Sequence, residues 1–217
     1  KTTENEENIG IIDDYGTSGG SGGDRGWELI SQDNETGNGE DRIVFVGRTA
    51  EGSSGFYGLS SPVVINDGNW HHVAFKREGA VWSIIVDGIK TSETLSDGSF
   101  NNVSPTTIGI HYDAIGGSNS AIGYNGLLDN IAIWNSAISD EDILNVAAGS
   151  VDTSDASLVG YWTFNDVPGS QIIDYSGYGN DGGIIGAEWS FDVPDLILGC
   201  LDSLATNYDP EAIVYDH

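Results

Sequence analysis

Oxygen-bearing side chains in the second half of the chain have the composition of a calcium site. Asp129 falls within an alternating apolar run, 127–134, and Asn165 and Asp166 follow a second such run, 158–164. A carboxylate on an apolar face is costly unless it is paired or bound to a cation. If the runs are neighbouring strands, these three residues supply part of the set of about six to eight oxygens that calcium takes. The alternatives are that Asp129 accepts N–H bonds at a turn and that Asp166 lies beyond its strand.

A second group of oxygen ligands falls in the glycine-rich segment 174–182. Asp174, Asn180 and Asp181 lie within eight residues of one another there. They are a second candidate calcium site. The alternative is that their side chains form turns by accepting bonds from the nearby backbone.

Aromatic side chains in the predicted loops or at the end of a strand are candidates for stacking on sugar rings, which aromatic faces bind when they are exposed. The candidates for a glycan-binding surface are Tyr112, Tyr124, Tyr175 and Tyr178. The six tryptophans fall at alternating positions within strand-like runs, so we expect them in the core.

Two motifs associated with catalysis or nucleotide binding lack the context that such chemistry needs. Residues 19–23 match G-x-S-x-G but lie in a glycine loop, with no strand–turn–helix pattern to build a nucleophile elbow. Residues 177–182 match G-x-G-x-x-G, but a strand-like run follows, so no helix N-terminus is present to hold a pyrophosphate. The sequence contains no H-E-x-x-H, P-loop or C-x-x-C motif.

Adjacent histidines at positions 71 and 72 would point to opposite faces of a strand and could not easily bind one metal together. His71 would share its face with Val73 and Phe75, which predicts a hydrogen-bonded residue at the edge of the core.

Short strand-like runs dominate the elements that must position these residues. Turn pairs such as Asp67-Gly68 and Asp87-Gly88 separate them, and a single helix is predicted at 139–148, with Ser139 as its cap and Gly149 as its stop. This spacing favours a β-sandwich or barrel. The predicted strands cover 27–31, 42–49, 55–60, 69–77, 81–87, 107–112, 127–134, 158–164 and 183–189.

The charge balance of the 217-residue chain excludes some partners. Seven Lys and Arg residues against 34 Asp and Glu residues give a formal net charge of −27. Such a chain repels phosphate backbones and anionic lipid, so we expect neither nucleic-acid binding nor a role at a membrane surface. No apolar run approaches the roughly 18 residues of a membrane helix, so we expect no insertion into a membrane.

Several stretches over residues 27–190 resemble the laminin-G-like, pentraxin-like jelly rolls of the concanavalin A type. In chain order they are NWHHVAF at 69–75, WSIIVDG at 82–88, LLDNIAIW at 127–134, SDEDI at 139–143, LVGYWTFN at 158–165 and DYSGYGNDG at 174–182. The resemblance implies an all-β fold, a two-sheet antiparallel jelly-roll sandwich with one short helix. It also implies a secreted bacterial surface protein.

The same resemblance bears on the sites. A late-strand aspartate often helps to bind a structural calcium in this family, and the position that corresponds is Asp129. Related glycosidases carry an E-x-D-x-x-E strand that places two carboxylates on one face. The chain has no such run, so we expect it not to be an enzyme.

The expected domain organisation is a jelly roll over residues 1–198, with its opening strands missing and residues 157–190 as its closing segment. The alternative is that the closing segment begins a next module. Residues 199–217 resemble the start of a short Asp-rich repeat of secreted bacterial proteins, and Cys200 would pair with a cysteine beyond His217.

Together these features predict a non-catalytic carbohydrate-binding or adhesion module of a large extracellular protein, secreted or on the cell surface and stabilised by calcium. Its partners would be a polysaccharide or cell-surface glycan, and neighbouring subunits of the same protein are a further candidate. The alternative is a structural subunit of a surface fibre or multi-domain stalk, assembled by strand exchange.

Overall fold

The structure is a computed structural model of the chain. The described residues are 1–3, 9–14, 26–33, 41–48, 56–100, 106–113, 120–166, 169–194, 198–199 and 214–215. They divide into two compact units, Lys1–Gly126 and Leu127–His217, which we call the first and the second unit.

Antiparallel strands build the first unit. They are β1 (Ile9–Asp13), β2 (Gly26–Asp33), β3 (Asp41–Arg48), β4 (Phe56–Val64), β5 (Val73–Glu78), β6 (Val81–Val86), β7 (Ile89–Thr94), β8 (Thr107–Ile108), β9 (Ile110–Asp113) and β10 (Ser120–Gly123). One sheet has the order β4-β3-β2-β1-β8, a second has the order β5-β6-β7, and β9 pairs with β10.

A two-residue turn at Asp87-Gly88 connects β6 to β7. Both residues have positive φ angles, 50° and 77°, as a type I′ turn requires. The turn fixes the register in which Val86 pairs with Ile89.

Aromatic rings join the five-stranded and three-stranded sheets. Phe45 of β3 stacks on Phe75 of β5, and both rings contact Trp82 of β6, which has no exposed surface. Gly47 leaves room for this ring, because a Cβ atom there would lie 2.6 Å from Cη2 of Trp82. The core of the first unit therefore lies between the two sheets.

The second unit consists of short strands and one helix. Its elements are β11 (Ile131–Trp134), α1 (Asp140–Ala147), β12 (Leu158–Trp162), β13 (Gln171–Ile172), β14 (Gly182–Gly183), β15 (Leu198–Gly199) and β16 (Val214–Tyr215). β11 pairs with β12 and β13 with β14, both antiparallel, and β15 pairs with β16 in parallel.

The predicted helix signals are confirmed. The N–H of Asp142 donates to Oγ of Ser139 at 3.0 Å, as in a capping box. At the other end Gly149 has φ of 74°, and the N–H groups of Gly149 and Ser150 donate to the carbonyls of Val146 and Asn145, which is a Schellman motif.

The all-β class is confirmed, whereas several predicted strand limits are wrong. The sequence reading missed β1. The run at 69–77 becomes a strand only at Val73, and Gly109, with φ of 75°, separates β8 from β9. The run at 183–189 is a strand only at its first residue, in β14. Among the described residues, no helix is long and apolar enough to cross a membrane.

Candidate ligand-binding site

A single buried carboxylate organises the loop between β13 and β14. Asp174 is 7% exposed. Its Oδ1 accepts the N–H groups of Tyr161 and Ser176, both at 2.9 Å. Its Oδ2 accepts the Ser176 hydroxyl and the N–H of Asn180, both at 2.8 Å. One side chain thus ties the loop to β12.

The ionised form of Asp174 is favoured in this loop. Burial alone would raise its pKa, but the N–H groups of Ser176, Tyr161 and Asn180 act in the opposite direction and hold the pKa below the usual value. The carboxylate therefore stays charged with no basic residue near it in sequence.

Two exposed tyrosines on this loop are anchored by their hydroxyl groups. Tyr175 is 47% exposed and donates to Oδ1 of Asp166 at 2.6 Å. Tyr178 is 59% exposed and donates to the carbonyl of Ala156 at 3.0 Å. Hydrogen bonding to Asp166 also raises the pKa of Tyr175. Each hydroxyl is held while a large part of the side chain remains open to solvent.

The neighbouring polar side chains are occupied with the backbone in the same way. Oδ2 of Asp166 accepts the N–H of Ile173 at 3.1 Å. Oδ1 of Asp181 accepts the N–H of Asp174 at 2.9 Å, and the Asn180 amide donates to the carbonyl of Val159 at 2.7 Å. These bonds match the turn-forming alternative considered for Asp174, Asn180 and Asp181.

The charge of this part of the chain has one sign. All seven Lys and Arg residues precede residue 91, and residues 127–217 contain 16 Asp and Glu residues with no Lys or Arg. Within the second unit, no Lys or Arg is available to pair with these acidic side chains.

Asp129 does not lie on a strand. β11 starts at Ile131, and Asn130 between them has φ of 48°, so the strand alternation used to assign Asp129 to an apolar face does not apply. Its Oδ1 accepts the N–H of Asn130 at 2.9 Å, and burial raises the pKa of its carboxyl. Burial, followed by the charge of Asp129, also raises the pKa of Tyr161.

The prediction that the two late strands are neighbours is confirmed, because Ile131 of β11 pairs with Trp162 of β12. β12 ends at Trp162, however, and both Asn165 and Asp166 lie beyond it. Across the described ranges, no three side chains of His, Cys, Asp and Glu converge in a way that could hold a metal ion. Calcium also takes amide and backbone-carbonyl oxygens, which this observation does not cover, so calcium binding stays a prediction.

The other two tyrosine candidates are not on this loop. Tyr124 is half-buried in the first unit, where burial and then the charge of Asp41 raise its pKa to about 12. Tyr112 lies in β9, but its side chain is outside the described residues, as are Cys200 and the G-x-S-x-G stretch.

The G-x-G-x-x-G stretch forms the far side of the Asp174 loop. Gly177 and Gly179 have positive φ angles, and Gly182 begins β14. Gly183 completes β14 and the chain then leaves the strand, so the strand predicted to follow this motif extends over one residue only.

The prediction that His71 is hydrogen-bonded is confirmed, but its partners were not predicted, and both histidines precede β5 and do not lie on the strand. Nδ1 of His71 lies 2.7 Å from Oδ2 of Asp87, and its Nε2 lies 3.0 Å from Oδ1 of Asp67. Nδ1 of His72 is buried, with no hydrogen-bond partner within the described part of the chain. The turn signals at Asp67-Gly68 and Asp87-Gly88 marked the two carboxylates as turn residues, but nothing in the local sequence indicated that they meet.

Two antiparallel sheets packed through an aromatic core define the first unit as a lectin-like β-sandwich. Residues 1–144 match the laminin G family described as the concanavalin A-like lectin/glucanases superfamily, and the chain belongs to this family. A search of curated proteins gives no match.

Two solved structures resemble the chain. One is a protein of Bacteroides ovatus ATCC 8483 to which carbohydrate binding has been ascribed, with a TM-score of 0.56 and 20% identity over 83% of this chain and 48% of that chain. The chain thus spans about half the length of that protein. The other is residues 221–444 of an S-layer domain-containing protein of Clostridium thermocellum ATCC 27405, with a TM-score of 0.35 and 18% identity over 68% of this chain and 65% of that chain.

Proposed function

We propose that the chain is a non-catalytic carbohydrate-binding module and that Tyr175 and Tyr178 form its sugar-stacking surface, the tyrosine platform. The observation that carries this proposal is the pair of exposed tyrosines whose hydroxyls are anchored by hydrogen bonds. Membership of the lectin-like family and the fold shared with the Bacteroides ovatus protein support it.

Anchoring matters because binding must offset the entropy of ordering side chains at the interface. The Asp174 hydrogen bonds order the loop, and the hydroxyl bonds to Asp166 and Ala156 restrict the two rings. A sugar that stacks on the platform meets surfaces that are already in place. Aromatic side chains also present a large apolar area beside a polar group, which suits the mixed surface of a saccharide.

The proposed ligand is an extracellular polysaccharide or cell-surface glycan, so the module would act outside the cell. Its acidity bears on the choice of sugar. Because the second unit has no Lys or Arg, it offers neither of these permanently charged groups to balance a uronic acid or a sulfated sugar. We therefore propose uncharged glycans as its ligands.

A glycan array, read with and without a chelator, tests the function. We expect binding to uncharged glycans. If no sugar binds at any calcium concentration, the proposed carbohydrate-binding function is contradicted. Tyr175→Ala and Tyr178→Ala test the platform, each removing about 1 kcal/mol of ring contact, or roughly fivefold in Kd.

Tyr175→Phe and Tyr178→Phe are the matched controls, because they keep the ring and remove only the hydroxyl bond. We expect both Phe variants to retain most of the affinity. Unchanged affinity in both Ala variants would place the sugar elsewhere and remove the platform, while leaving the lectin function intact.

A further inference from the structure

A histidine lies between two carboxylates at the start of β5. Nδ1 of His71 is 2.7 Å from Asp87 in the β6–β7 turn, and Nε2 is 3.0 Å from Asp67 in the preceding loop. The His71 side chain is 12% exposed, against 32% for Asp87 and 44% for Asp67. The imidazole thus connects two loops that are 20 residues apart in sequence.

Hydrogen-bond chemistry restricts the protonation state that fits this geometry. An ionised carboxylate only accepts hydrogen bonds, and a neutral imidazole has one donor and one acceptor nitrogen. A neutral His71 would leave a nitrogen lone pair facing a carboxylate oxygen at 3.0 Å or less. Only the imidazolium donates to both partners.

We infer that His71 is held as an imidazolium that clasps the Asp67 loop to the β6–β7 turn, and that loss of its proton opens this clasp. The deprotonated ring keeps one of its two bonds. We expect it to keep the shorter one, to Asp87, and to release the more exposed Asp67.

The two carboxylates are themselves oriented by other donors. Asp67 accepts from the N–H and the side-chain amide of Asn69, at 2.8 and 2.9 Å. Oδ1 of Asp87 accepts the N–H of His72 at 2.9 Å. The same loop holds the N-terminal segment, because the N–H of Gly68 donates to the carbonyl of Thr2 at 3.0 Å. Opening the clasp therefore loosens a loop that also positions residues before β1.

The charged groups that act on His71 are Asp87 and Asp67, and the titratable residue beside it is His72. The hydrogen bond to Asp87 raises the pKa of His71, burial opposes it, and the bond to Asp67 adds to it. Burial lowers the pKa of His72, with the charge of Asp87 acting in the opposite direction. The neighbouring histidines thus titrate on opposite sides of the ordinary value of 6.5.

The linkage to stability follows from these directions. Because the pKa of His71 is raised in the folded state, its contribution to the free energy of unfolding is fully present below pH 6.5. That contribution is lost as the pH rises through the folded pKa. Asp67 has a lowered pKa, because bonds from Asn69 and His71 outweigh the opposing effect of burial. The contribution of Asp67 to the free energy of unfolding is present above pH 3.8 and is lost as the pH falls through its own folded pKa. The clasp is strongest between these limits.

A nitrogen-detected NMR titration of the histidine rings in the full chain tests the inference. We expect one ring to be doubly protonated at pH 6.5 and to titrate above that value, and we expect Asp67→Asn and Asp87→Asn each to lower its pKa. Asparagine keeps the size of the side chain and tolerates the positive φ of position 87.

Two controls assign the effect. His71→Gln should remove this resonance and the fall in Tm above pH 6.5, whereas His72→Gln should leave both in place. If His71→Gln does not fold, the two Asn variants assign the resonance by its shift. A His71 ring that is neutral at pH 6.5, or that does not respond to either Asn substitution, overturns the inference.

Discussion

The Asp174 side chain allows the sharpest test of how the second unit is held together. Asp174→Ala removes four hydrogen bonds, three of them from backbone N–H groups of Tyr161, Ser176 and Asn180. A bond to a charged group contributes about 1.5–3 kcal/mol, and a buried donor left without a partner costs about 1–3 kcal/mol. Water can reach the exposed Asn180 and the half-buried Ser176, so the sum is smaller than four full bonds.

We expect Asp174→Ala to lower the free energy of unfolding of the second unit by about 3–4 kcal/mol. With a urea m-value of about 2 kcal/mol/M, the midpoint moves by about 1.5–2 M. Because the chain has two units, a single transition cannot be assumed. Amide hydrogen exchange at Tyr161, Ser176 and Asn180 should therefore accompany the urea curve.

Asp152→Ala is a matched control in the same unit. Asp152 accepts the N–H and the hydroxyl of Ser154, at 2.9 and 2.6 Å, but it is exposed. We expect a much smaller change in the urea midpoint. If Asp174→Ala unfolds at the same urea concentration as the control and its three amides stay protected, the Asp174 carboxylate does not hold this loop.

The lowered pKa of Asp174 means that this carboxylate stabilises the second unit above pH 3.8, and that the stabilisation is lost as the pH falls through the folded pKa. An acid-unfolding transition that is unchanged in Asp174→Ala contradicts this prediction. Gly47→Ala should lower the Tm of the first unit, because the new Cβ would lie 2.6 Å from the buried Trp82 ring; Gly58→Ala, with open space at its Cβ, is the control on the next strand. If calcium braces the module, a chelator should lower the Tm, by the equivalent of about 2.7 kcal/mol when calcium had been present at a hundredfold excess over Kd. Asp129→Asn should reduce that shift, and an unchanged shift would remove Asp129 from the site.

The fold class could be predicted from the sequence because the patterns that indicate it are local. Period-two apolar runs, turn pairs such as Asp87-Gly88 and the helix signals at Ser139 and Gly149 depend on neighbouring residues only. Strand limits were less readable where the backbone leaves the extended region. Asn130 and Phe164, with φ of 48° and 54°, end the alternation that the sequence reading carried through 127–134 and 158–164.

The candidate sites were only partly readable, since they depend on contacts between distant residues. The pattern identified Asp174 as an oxygen-rich loop residue, but its bond to the N–H of Tyr161 joins positions 13 residues apart. The clasp at His71 was missed because Asp87 reaches it through the pairing of β5 with β6, and because Asp67, four residues before His71, was interpreted only as a turn residue. Two adjacent histidines in a sequence do not by themselves indicate that Asp67 and Asp87 will contact one of them.

The one-sided charge of residues 127–217 has a consequence for the solvent in which the module works. With no Lys or Arg of its own, this unit contains no internal ion pair of those residues that added salt could weaken. The repulsion among its 16 acidic side chains is screened over a Debye length of about 8 Å at physiological ionic strength, and over about 3 Å at 1 M. A high salt concentration should therefore stabilise residues 127–217, whereas it would destabilise a protein that depends on surface ion pairs.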